Sequence, residues 1–172
     1  MEIRLHYIEQ GEGFPLILLH GNGEDHTYFK RQMEPFADHF RVIAVDTRGH
    51  GESPRGTGPF TLSRFAEDLK SFFDQHGISK CHLLGFSDGG NVALLFALKY
   101  PDRVERLILN GANLDPCGVK LKTQIPIVLG WGLCRLCALF SQQAKQNWEM
   151  LNLMVTQPHI HRAELAGLDM PV

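Results

Sequence analysis

Apolar and polar side chains alternate along Ile3-Arg4-Leu5-His6-Tyr7-Ile8, which predicts a half-exposed strand. Gly11-Glu12-Gly13 breaks the pattern. Pro15-Leu16-Ile17-Leu18-Leu19 and Arg41-Val42-Ile43-Ala44-Val45 are continuous apolar runs, as expected of parallel strands covered on both faces. Between them Phe29, Met33 and Phe36 recur at helical spacing, with Pro35 set to end or bend that helix. A second helix is predicted after Thr61, a capping residue, with Leu62, Phe65, Leu69, Phe72 and Phe73 on its inner side and Gly77 as its stop. Cys81 to Leu84 reads as another strand. Val92, Leu95, Phe96 and Lys99 step by three and four up to Pro101, and Val104 to Leu109 returns to a strand that Asn110-Gly111 closes. Strands alternating with helices through short loops predict an α/β fold with a doubly wound, mostly parallel sheet.

Ligands of such sheets sit beyond the carboxyl ends of the strands. His20-Gly21-Asn22-Gly23, Asp46 to Ser53, Ser87 and Asn110 all fall there. Gly85-Phe86-Ser87-Asp88-Gly89 is a G-x-S-x-G pattern between a strand and a helix. A serine at so sharp a turn holds a strained backbone and projects its hydroxyl, while the glycines leave no Cβ between strand and helix. The following helix aims free N–H groups at any anion formed at that serine. Ser87 is the candidate nucleophile.

Composition narrows the partners. The 172 residues suffice for one domain, 44% hydrophobic and 21% charged, as in ordinary globular chains. A net charge of −2 with scattered basic residues offers no stripe for nucleic acid or a membrane surface. Met1 to Leu5 has no apolar leader, and the four cysteines form no disulfide framework. Both features predict a cytoplasmic protein with reduced thiols. Cys134 and Cys137 form a C-x-x-C at helical spacing without a second ligand pair, so they are expected to be core thiols. No metal site and no cofactor are expected.

With these residues in view, the chain resembles the α/β-hydrolase family. Pro15–Leu19 with His20–Gly23 is similar to its third strand and oxyanion loop. Asp46-x-Arg48-Gly49-x-Gly51-x-Ser53 is similar to the turn after its fourth strand, and Gly85–Gly89 to its nucleophile elbow. Gly-Phe-Ser-Asp-Gly-Gly with Lys99-Tyr100-Pro101 resembles in particular the biphenyl-hydrolase-like branch of esterases and C–C bond hydrolases. The resemblance implies that Ser87 is the nucleophile and that the backbone N–H groups of Asn22 and Asp88 form the oxyanion hole. His20 would prop its loop rather than act as base. Relatives that open epoxides or cleave haloalkanes carry Asp at the elbow, where this chain has Ser87.

The family's triad also needs an acid and a later histidine. The sequence ends at Leu168-Asp169-Met170-Pro171-Val172, with Met170-Pro171-Val172 similar to the first residues of the next strand. The expectation is therefore a chain cut short before the triad acid and histidine. Stand-ins within it are Asp115 for the acid, and His159, His161, His26 or His50 for the base.

The expected organisation is a core over residues 1–112, a helical lid over 113–165, and the start of a further core strand over 166–172. Ile125 to Trp131, continuing through Leu133, Leu136, Leu139 and Phe140, is too short for a membrane span and holds Arg135. A lid helix with its apolar face over an acyl site is the expectation, an interfacial helix the alternative. The strand ending at Asn110 is expected to be an exposed edge open to self-association. The functional expectation is a serine hydrolase acting on a small carboxylic ester or related acyl compound. The alternatives are an inactive fragment or interaction domain, and a C–C bond or amide hydrolase.

Overall fold

The computed structural model describes residues 3–172. Among these residues, β1 (Tyr7–Gln10), β2 (Pro15–Leu19), β3 (Arg41–Val45), β4 (Cys81–Phe86) and β5 (Val104–Asn110) form one sheet in the order β1-β3-β2-β4-β5. β1 pairs antiparallel with β3, and the other neighbours are parallel. The fold is α/β and mostly parallel.

The continuous apolar runs are explained by which face each residue serves. Ile17, Leu19, Ile43 and Val45 face one layer, with α2 (Leu62–Gln75) and α3 (Asp88–Lys99). Leu16, Leu18, Val42 and Ala44 face the other, with Phe29 and Met33 from the segment around α1 (Lys30–Ala37). Every residue of these strands except the first is buried, so none is left to be polar. In α2, Phe65, Leu69, Phe72 and Phe73 are buried, each such side chain contributing about 1.5–3 kcal/mol on leaving water. Thr61 caps α2 by accepting from the Arg64 N–H at 3.1 Å. Gly77 takes a φ of 62° just past its end.

Two details differ from expectation. β1 begins at Tyr7, not Ile3. β3 ends at Val45, so upstream of Tyr7 the chain has only a loop to bond with. The His6 carbonyl accepts from Asp46 N–H at 2.9 Å, and its N–H donates to Ser53 Oγ at 2.8 Å. Pro35 lies inside α1, which runs only two residues beyond it. The missing N–H forfeits one intrahelical bond, and the helix closes at Ala37.

After β5 come α4 (Leu121–Cys137) and α5 (Gln142–Thr156), which pack on each other. Trp131 Nε1 donates to Asn152 Oδ1 at 3.0 Å across that contact. It is α5 that meets the core. Leu153 is buried, Arg55 pairs with Glu149 at 2.9 Å, and Leu62 N–H donates to Gln157 Oε1 at 3.0 Å. No residue of α4 is buried. Its apolar positions run all round the helix, so one side packs on α5 and Leu121, Leu129, Leu133 and Leu136 face outward. Cys134 is half-buried and Cys137 exposed, so the pair is not in the core. No helix among the described residues is long and apolar enough to cross a membrane.

β5 is the last strand of the sheet, with Ile108 exposed. Arg162–Gly167 forms a 3₁₀ turn, so the chain at 166–167 is not strand. Beyond it the tail makes one backbone hydrogen bond to β5, where Leu107 N–H donates to the Pro171 carbonyl at 2.9 Å.

Candidate active site

Ser87 has φ 52° and ψ −121°, and among the described residues it is the one non-glycine with positive φ. Three backbones press together around it. A Cβ on Gly85 would lie 2.3 Å from the Gly89 carbonyl oxygen. One on Gly89 would lie 2.3 Å from the Leu19 oxygen and 2.4 Å from that of His20. Both glycines are thus required for β4, α3 and β2 to approach. Ser87 N–H donates to the Asn110 carbonyl at 2.8 Å, and Asn91 N–H donates to the Ser87 carbonyl at 3.1 Å, fixing the strained residue from both sides.

The His20–Gly23 loop stands opposite. Thr47 N–H donates to His20 Nε2 at 3.1 Å, which places the proton on Nδ1, and Nδ1–H donates to the Gly21 carbonyl at 2.8 Å. Burial lowers the His20 pKa, so the ring stays neutral in this role. The expectation that His20 props its loop matches this geometry. The N–H groups of Asn22 and Asp88 have no hydrogen-bond partner among the described residues.

Side chains sequence reasoning missed hold the loop, elbow and α5 together. Asn22 Nδ2 donates to Asp88 Oδ2 and to the Met150 carbonyl, each at 2.8 Å. Asn91 Nδ2 donates to Asp88 Oδ1 at 3.2 Å and to Asn113 Oδ1 at 3.1 Å, and Asn113 N–H donates to Asn91 Oδ1 at 2.9 Å. Burial raises the Asp88 pKa, and the two amide donors oppose that shift. The space between His20, Asn22, Asp88, Val92 and Leu153 is about 10 Å³, room for no more than one water. No sequence signal announces this network, because its members lie on four separate elements.

The stand-in acid and base fall elsewhere. Asp115 and His159 do meet, with Nδ1 3.0 Å from Oδ2, but both are exposed. His26 and His6 bond to Asp46. His50 is buried beside Thr47 and the Arg48 carbonyl, each 3.1 Å from its Nδ1. The His161 backbone N–H donates to Glu164 at 2.6 Å. None of the chain's nine histidines forms a hydrogen bond with Ser87 Oγ.

A mostly parallel sheet carries a strained serine between β4 and α3, with glycines on either side and a propped loop at the next strand end. Residues 15–133 match the family described as "alpha/beta hydrolase fold". The chain belongs to the α/β-hydrolase family. One hydrolase relative is the 2-hydroxy-6-oxononadienedioate/2-hydroxy-6-oxononatrienedioate hydrolase of Escherichia coli, 36% identical over 155 residues, which cover 87% of this chain and 52% of that one. Epoxide hydrolase 4 of Mus musculus is 40% identical over 111 residues, 62% of this chain and 31% of that protein. This chain therefore spans about half or less of these curated relatives' length. Among solved hydrolases, an esterase from Thermogutta terrifontis superimposes with a TM-score of 0.67 at 28% identity, covering 98% of this chain and 68% of that one. The enol-lactonase of Burkholderia xenovorans LB400 does so at 0.74 and 22% identity, covering 98% and 76%, which speaks to the fold alone.

Proposed function

We propose that this hydrolase is a serine enzyme cleaving a small carboxylic ester or related acyl compound through an acyl-enzyme on Ser87. The observation that carries the reading is the strained Ser87 beside two unpartnered N–H groups, those of Asn22 and Asp88. In this reading Ser87 Oγ attacks the carbonyl carbon and the two N–H groups receive the developing oxyanion, each worth roughly 2.7–4 kcal/mol of transition-state stabilisation. The Ser87 hydroxyl proton goes to the departing alcohol, and water then cleaves the acyl-enzyme to release the acid and restore the Ser87 hydroxyl. Serine at the elbow favours acyl transfer over epoxide opening, which the resemblance assigns to an aspartate there.

A serine hydroxyl is a weak nucleophile at neutral pH without a base. The nine histidines offer none at Ser87, so the reading requires a base other than those positions. Residues 113–165 act as a lid in this proposal, with α5 rather than α4 next to the site through Met150 and Leu153. Four unpaired thiols support a cytoplasmic setting.

A fluorophosphonate probe tests the reading on the whole protein. Labelling at Ser87, abolished by Ser87→Ala, is expected; an unlabelled Ser87 sinks it. The missing base favours a second reading, in which these 172 residues alone are inactive. Ser87-dependent ester hydrolysis by this chain would refute that reading. A substrate panel separates ester from C–C and amide cleavage.

A further inference from the structure

The starts and ends of β1, β2 and β3 bring together three side chains that the hydrolase reading does not use. His6 precedes β1, His26 follows the loop after β2, and Asp46 follows β3. Asp46 is fully buried, while the His6 and His26 side chains keep 29% and 16% of their surface exposed, leaving a path for an ion. His6 Nδ1 is 2.8 Å from Asp46 Oδ2. His26 Nδ1 is 2.9 Å from Oδ1 and 3.1 Å from Oδ2. One ligand atom from each residue lies within 4.8 Å of the others.

We propose that His6 Nδ1, His26 Nδ1 and the Asp46 carboxylate form a site for a divalent cation of the zinc class. Zinc binds imidazole nitrogen and carboxylate oxygen at about 2.0–2.2 Å, which sets ligand atoms roughly 3–3.5 Å apart. The histidine–carboxylate separations of 2.8, 2.9 and 3.1 Å lie at or a little below that range, so an outward movement of the rings by a few tenths of an ångström admits the ion. Two imidazoles and one carboxylate suit zinc and cobalt and leave a fourth position for water.

Two further features distinguish the trio from a plain hydrogen-bonded cluster. The first is Glu52. Its Oε2 lies 3.7 Å from His6 Nε2. A metal on Nδ1 displaces that nitrogen's proton, and the neutral ring carries its proton on Nε2 instead, facing Glu52. At 3.7 Å Glu52 is a charge partner of the ring rather than a hydrogen-bond partner, and a carboxylate that closes on the outer nitrogen of a ligating histidine fixes its tautomer and raises its basicity. The second is the fixed carboxylate. Backbone N–H groups of His26 and Glu52 donate to Asp46 at 2.7 Å and 2.9 Å. A Cβ on Gly51 would fall 2.2 Å from Oδ2, so only glycine leaves the carboxylate in place. Asp46 is positioned before any ion arrives.

The site lies at the β1–β3 end of the sheet, away from β5. A bound cation would cross-link the chain before β1, the loop after β2 and the turn after β3. Its role is thus to stiffen the rim that carries the His20–Gly23 loop.

Titration with Co2+ and Zn2+ tests this. One equivalent is expected, with visible d–d absorption from Co2+. Added Zn2+ should shift the Nδ1 nitrogen-15 signals of His6 and His26 in ring-selective NMR. Affinity should fall more than about 100-fold in His6→Ala and His26→Ala, and about tenfold or more in Glu52→Gln. His159→Ala should bind normally. No stoichiometric uptake by the native chain overturns the proposal, as does a response from other histidines. The native-protein NMR decides the matter even where a variant fails to fold.

Discussion

The side-chain amide of Asn22 donates to the Asp88 carboxylate at 2.8 Å, joining residues 66 positions apart in the chain. One side of this bond belongs to the loop after β2, the other to the residue after Ser87. The same amide reaches the Met150 carbonyl, so one side chain links loop, elbow and α5.

Asn22→Ala removes both donors and keeps the backbone N–H. Asp88, nearly buried, is left with Asn91 as its remaining side-chain donor. Stability should fall by about 1–3 kcal/mol, the usual result of leaving a buried acceptor short of a partner. Amide exchange over residues 20–24 should quicken more than in β2. Unchanged exchange there would show that the amide does not hold the loop.

Ser87→Gly should raise stability while removing the hydroxyl. The positive φ that Ser87 endures costs a glycine nothing sterically. A gain of about 1 kcal/mol is expected after the entropic cost of a glycine is subtracted. Urea unfolding of the two proteins measures it, and a loss of stability would contradict the strain ascribed to the elbow.

Arg48 and Asp68 form a buried, bidentate pair, with Nε–Oδ2 and Nη2–Oδ1 both 2.6 Å. Arg48→Met strands the Asp68 carboxylate, with Arg64 Nε at 3.3 Å as its remaining charged partner. A loss of about 3 kcal/mol is expected, at the low end for breaking a buried pair because of Arg64. The double change Arg48→Met with Asp68→Leu should recover much of it. Denaturant midpoints of the two variants provide the comparison.

His50 confers acid sensitivity. Burial, then the neighbouring His20, hold its pKa down to about 4 against an ordinary 6.5. As pH falls, the unfolded chain takes up the proton first. The stability linked to His50 is therefore complete above pH 6.5 and is lost between about 6.5 and 4. The loss is on the order of 3 kcal/mol. In His50→Gln the fall in unfolding free energy between pH 7 and pH 4.5 should be smaller. An equal fall in both proteins would rule His50 out as its source.

Much of the scaffold was legible from local pattern. β2 and β3 begin and end where the apolar runs do, because a strand buried on both faces has no room for a polar residue. α2 follows its cap and its phenylalanine spacing. Ser87 could be singled out because strand, turn and helix chemistry all sit within one short stretch. Alternation alone starts β1 too early, because a strand needs a partner and β3 stops at Val45. The thiols of α4 lie outside the core against expectation, because an apolar helix does not reveal which side is covered.

The sequence by itself thus determined the α/β order, the strained serine and the loops at one end of the sheet, since propensity and hydrophobic period act between near neighbours. Tertiary structure alone decided that Asn22 clasps Asp88, that α5 and not α4 meets the rim, and that His6, His26 and Asp46 converge. The physical reason is distance along the chain. Hydrogen bonds and metal geometry act over a few ångströms in space, and residues twenty or sixty-six positions apart share no local signal that they will meet.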